Sequence, residues 1–128
     1  MKILLSGLLM IISINVMASD VAIIFAKFSR NVDGSWNVAA TLKHADSGWN
    51  HYANEWRIVD GKGHVIGKRV LAHPHVEEQP FTRRLYSLKI PVGVADIFVE
   101  ASDSVNGRSP DRIKVDLTKR SGDRFSVE

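Results

Sequence analysis

The sequence predicts an all-β domain, a seven-stranded antiparallel sandwich, and three observations carry that expectation. Short β-branched and aromatic runs recur along the chain, clusters of Gly, Pro, Asn and Asp separate them, and no stretch shows the apolar period of an amphipathic helix. Two tryptophans, Trp36 and Trp56, fall on neighbouring runs, where indoles would fill the space between two sheets.

The first strand covers residues 21–30, and the turn Asn31-Val32-Asp33-Gly34 leads into the second. There Trp36, Val38, Ala40 and Leu42 alternate with Asn37, Ala39, Thr41 and Lys43, so one face is buried. His44 continues the inward parity and falls at the rim of the core. A polar loop over 45–54 precedes the third strand, in which Trp56 and Ile58 point inward. Asp60-Gly61-Lys62-Gly63 is a tight turn that joins the third and fourth strands as a hairpin. The fourth strand runs over 64–72 with a bulge expected at Gly67, where the apolar parity shifts. Pro74 and Pro80 bracket the next connection. The fifth strand spans 81–90, Pro91-Val92-Gly93 turns the chain, and the sixth places Ile97, Val99 and Ala101 inward. Ile113, Val115 and Leu117 share one face of the seventh. Residues 118–128 are polar and are expected to form a loosely attached tail.

Lys2, an apolar run from Ile3 to Ile14 and small residues at Val16 and Ala18 read as a signal peptide over residues 1–18, cleaved after Ala18. The sandwich then occupies residues 19–117. No later segment is long or apolar enough to span a bilayer. The chain holds no cysteine, so its stability must come from packing and not from disulfides, and lipid attachment through an N-terminal cysteine has no residue to use. These features predict a soluble periplasmic protein, a monomer or weak dimer. A net charge of +3, from 17 Lys and Arg against 14 Asp and Glu, gives no basic footprint for nucleic acid.

The segment Ile97-Phe98-Val99-Glu100-Ala101-Ser102-Asp103, followed by Gly107, Ser109 and Pro110, resembles the sixth strand and the loop after it in immunoglobulin and fibronectin type III-like domains. Residues 44–80 are similar to a set of uncharacterised small proteobacterial periplasmic proteins with a histidine-rich stretch. Both resemblances imply an exported β-sandwich, and neither implies an activity.

Strand order sorts the five histidines by position. Because successive antiparallel strands alternate direction, His44, His51, His73 and His75 are expected at one end of the sandwich, with the loop holding Asp103 and Asn106. His64, beside the turn after the third strand, is expected at the other end. His73 and His75, two residues apart in backbone that Pro74 biases to extension, would present both rings on one side. Joined by His44 or His51, they would offer imidazole nitrogens suited to zinc or copper, with Glu77 and Glu78 as further carboxylates. Without metal, the same end is a proton-sensitive surface.

Trp49 and Tyr52 lie in a loop where no strand pairing demands an aromatic ring. Either Trp49 folds back to cap the core, or the two rings stand exposed as anchors for a glycan or an exported protein. Arg83 and Arg84 are expected to form a solvated strand face. The chain contains no cysteine nucleophile, no Gly-x-Ser-x-Gly, no phosphate-cradling glycine loop and no His-Glu-x-x-His. A non-catalytic binding module is therefore the expectation.

Overall fold

The computed structural model describes residues 20–128; the expected signal peptide over 1–18 and its cleavage site lie outside the described residues. The protein is an all-β sandwich of two sheets. One sheet holds β1 (Ala22–Arg30), β2 (Trp36–Lys43), β5 (Phe81–Leu88), β8 (Ser121–Gly122) and β9 (Phe125–Val127), in the order β5-β2-β1-β9-β8. The other holds β3 (Ala53–Asp60), β4 (Val65–Val70), β6 (Asp96–Asp103) and β7 (Gly107–Asp116), in the order β4-β3-β6-β7. The first seven strands are those read from the alternating pattern, in an immunoglobulin/fibronectin type III-like arrangement. Among the described residues no helix is long and apolar enough to cross a membrane.

The core lies between the sheets. Phe28, Val38, Ala40, Leu42 and Phe81 from one side meet Trp56, Ile58, Ile97, Val99, Ile113 and Val115 from the other, all essentially inaccessible to solvent. Burial of each large side chain stabilises the fold by about 1.5–3 kcal/mol, which is why a chain without disulfides holds together.

At the turn after β3, the Asp60 carbonyl accepts the Gly63 amide at 3.1 Å. Asp60 Oδ1 accepts the Lys62 and His64 amides at 2.8 and 2.9 Å. Gly63 has a φ of 82°, the left-handed conformation that the turn requires. The bulge in β4 falls one residue before Gly67: Ile58 pairs with Gly67 and Val59 with Val65, leaving Ile66 as the extra residue. Gly67 itself has a packing role, because a Cβ there would collide with Leu88.

The last eleven residues depart from expectation. They are not a loose tail: β8 and β9 form a small hairpin, and β9 pairs parallel with β1, Ala26 opposite Phe125. Phe125 is buried in the core cluster and Val127 packs against it. The segment read as polar because Phe125 and Val127 are too short a run to signal a strand. They nonetheless share one face, and the β1 edge supplies the hydrogen-bonding partner that they need.

Candidate metal centre

The inward parity of β2 carries past its last residue and puts His44 inside the end of the sandwich. The chain then turns so tightly that the Asp46 amide bonds back to the His44 carbonyl at 2.9 Å. Asp46 is fully used. Its Oδ1 lies 2.5 Å from His44 Nδ1 and accepts the Ala53 amide at 2.9 Å, while its Oδ2 accepts the His75 amide at 2.7 Å. A carboxylate only accepts, so Nδ1 carries the proton of that bond, and Nε2 would be the ligating nitrogen were the site to hold a metal. That nitrogen faces Asp103, with Oδ2 at 3.9 Å.

Asp103 reaches the same place by the same logic, since Ile97, Val99 and Ala101 point inward and residue 103 follows in register. Its Oδ1 accepts the Val105 and Asn106 amides at 2.8 and 2.7 Å, and the Asn106 side chain donates to Oδ2 at 3.3 Å. Burial pushes the carboxyl pKa up, but the hydrogen bonds from Asn106 and Val105 outweigh it and, with His51 nearby, hold the group below its usual value.

His51 arrives from the loop between β2 and β3. Ser47 and His51 close a small turn there, with the His51 amide bonded to the Gly48 carbonyl at 3.1 Å and Gly48 at a φ of 131°. His51 Nε2 lies 3.3 Å from Asp103 Oδ1, yet it is buried and makes no hydrogen bond among the described residues. The His44 and His51 rings meet edge to face, centroids 4.9 Å apart. One ligand atom from each of His44, His51 and Asp103 falls within 4.8 Å of the others, the spacing that a single ion requires.

Of the four histidines expected at this end, His44 and His51 come together with Asp103; His73 and His75 stand outside that group. Their rings do share a side, 4.6 Å apart. His75, however, stacks on Phe81 at 4.1 Å, and its Nε2 is 2.8 Å from an Arg83 nitrogen. Guanidinium only donates, so Nε2 accepts and the ring proton sits on Nδ1, which faces Asp46 Oδ2 at 4.0 Å. Burial, with the charges of Arg83 and His73, holds the His75 pKa below its usual value. His73 is exposed and donates through Nδ1 to the Pro74 carbonyl at 3.0 Å. Gln79 ties this loop to β2, accepting the His44 amide at 3.0 Å and donating to the His75 carbonyl at 2.8 Å. His64 lies beyond the far end of β3, eight residues or about 25 Å of strand away, and contacts Asp60.

Glu78 and Arg83 pair at 3.3 Å, so Arg83 belongs to the histidine end and not to a solvated face. Trp49 does not cap the core. It is 67% exposed and packs edge to face on Tyr52, centroids 5.6 Å apart. Asp46 and Asp103 are the site residues that sequence reasoning passed over as ligand or support. The strand parity that placed His44 would have placed Asp103.

No protein-family model matches the chain, and no solved structure matches it. A relative in the halophilic archaeon Halomicrobium mukohataei, described as a "Putative lipoprotein", is 32% identical over 78 residues. The match covers 61% of this chain and 38% of that protein, so the chain spans well under half the length of the relative. The relative is archaeal, whereas the histidine-rich stretch resembled proteobacterial proteins.

Proposed function

We propose that this domain is an exported, non-catalytic binding protein that holds a divalent transition metal, Zn²⁺ or Cu²⁺, through His44, His51 and Asp103. The observation that carries the reading is the buried His51 Nε2, which has no hydrogen-bond partner among the described residues and sits beside Asp103 and His44. An unsatisfied buried polar atom costs about 1–3 kcal/mol, and a metal ion would remove that cost. Two imidazoles and a carboxylate are a donor set used by zinc and copper. The Asp46 carboxylate behind His44 Nδ1 is the outer support that metal-bound histidines ordinarily have. Charge argues the same way: among the described residues, the ion-pair partners of buried Asp46 and Asp103 are imidazoles, with no Lys or Arg. The lipoprotein description of the archaeal relative supports an envelope location. The 128 residues themselves offer no cysteine for a lipid.

Isothermal titration of the apo protein with Zn²⁺ and Cu²⁺ tests the reading. Binding is expected to be micromolar or tighter, to weaken on acidification as protons compete for imidazole, and to be lost in His51→Gln and Asp103→Asn. His73→Ala and His64→Ala should bind as the parent does. Absence of binding, or equal loss in all four variants, would overturn it.

A second reading is favoured by the exposure of Trp49. The Trp49–Tyr52 pair offers a flat apolar surface to a glycan or an exported protein. Its test is loss of glycan or partner binding in Trp49→Ala with metal affinity intact.

A further inference from the structure

We infer that this metal centre is an open one, with a coordination position on the solvent side of His51 that takes a small anion, a carboxylate, directly on the metal. The inference rests on the metal-binding reading above.

Zinc and its divalent neighbours take at least four ligands, and a site with three protein ligands leaves a position for a fourth from outside. Among the described residues, no fourth His, Cys, Asp or Glu joins His44, His51 and Asp103. The nearest candidates are committed elsewhere. Asp46 spends both oxygens on His44, Ala53 and His75. His75 directs Nε2 at the Arg83 guanidinium, whose charge would repel a metal ion there. Access is one-sided: the side chains of His44 and Asp103 have no solvent exposure, whereas that of His51 is 25% exposed. An added ligand would therefore approach from the His51 side, the partly exposed side of the group. A dication bound by one carboxylate and two neutral imidazoles keeps a net positive charge in a low-dielectric setting, so an anion is preferred to water as the added ligand. A carboxylate fits because its small charged head can reach the metal while its body stays in solvent.

Loading the mature protein with Co²⁺ and titrating acetate and azide, with the visible ligand-field bands as readout, tests this. The expected result is a saturable shift of the bands at one anion per metal, with both probes competing. Co²⁺ binding with bands unmoved by either anion would overturn the open position and leave the metal site standing. Failure of Co²⁺ and Zn²⁺ to bind at all would overturn both. A shift that saturates at other than one anion per metal, or acetate and azide that fail to displace each other, would place the anions away from the metal and overturn the inference.

Discussion

Asp46 Oδ1 and His44 Nδ1 lie 2.5 Å apart inside the end of the sandwich, where neither side chain has any solvent exposure. The carboxylate also receives the amides of Ala53 and His75, so it ties the end of β2 to the start of β3 and to the loop before β5. Asp46→Asn replaces one acceptor oxygen with a donor that must confront an N–H. It is expected to destabilise the fold by about 3 kcal/mol and to weaken metal binding by roughly 10–100-fold through misorientation of His44. Urea unfolding of the apo protein and titration calorimetry separate the two effects.

His75 should make the apo protein acid-sensitive. Burial, Arg83 and His73 lower its folded pKa, and Glu78 and Asp46 oppose them only in part. Between the folded value and the unfolded value near 6.5, the unfolded chain binds more protons, so stability falls as pH drops through that window and then levels off. In Arg83→Gln the His75 pKa should rise toward its ordinary value and the loss should shrink. The urea midpoint followed from about pH 7.5 to pH 5 is the measurement, and an unchanged slope in Arg83→Gln would count against this account.

The C-terminal hairpin should matter to stability in proportion to Phe125. That ring is buried, and a Cβ on Gly122 would drive into it. Phe125→Ala is expected to cost about 3–4 kcal/mol, and Gly122→Ala to destabilise in the same direction. Arg124 supports the turn from the other side, bonding the Ile23 carbonyl at 2.8 Å and Asp111 at 3.0 Å. Thermal unfolding of the two variants beside a Ser126→Ala control checks the claim.

What the sequence made legible follows from the range of each physical signal. Alternation in β2, β3 and β6 has a period of two and needs no partner to be seen, so Trp36, Val38, Ala40, Leu42, Trp56, Ile58, Ile97 and Val99 could be placed inward. The same period reaches His44 and the end of the sandwich. Side-chain direction beyond a strand end is set by nonlocal partners. His75 turns away from the group of His44, His51 and Asp103 because Phe81 offers a stacking surface and Arg83 a donor, and neither preference has a sequence spacing. Asp103 lay within reach of the parity argument, but an aspartate in a Ser-Asp-Ser run reads as turn chemistry. Phe125 joins the core by pairing with β1, nearly one hundred residues earlier in the chain, a contact with no local trace.

Metal binding should raise the stability of the folded state by mass action, since the three ligands converge only after folding. His44 is at the end of β2, His51 in the next loop and Asp103 at the end of β6, so the unfolded chain has no preformed site. At free Zn²⁺ about 100-fold above its dissociation constant, the expected gain is ~2.7 kcal/mol, which for a domain of this size is a rise in Tm of roughly 10 °C or more. His51→Gln and Asp103→Asn should remove the rise. The two differ in their effect on the apo protein, because His51 Nε2 has no hydrogen-bond partner among the described residues, whereas Asp103 already holds the Val105 and Asn106 amides. Asp103→Asn should therefore lower the apo Tm, while His51→Gln should leave it nearly unchanged. His73→Ala should retain the full zinc-dependent rise, because its ring lies outside the ligand group. Differential scanning calorimetry with and without Zn²⁺ on the parent and these three variants decides the matter. A rise that survives in Asp103→Asn would remove that carboxylate from the ligand set.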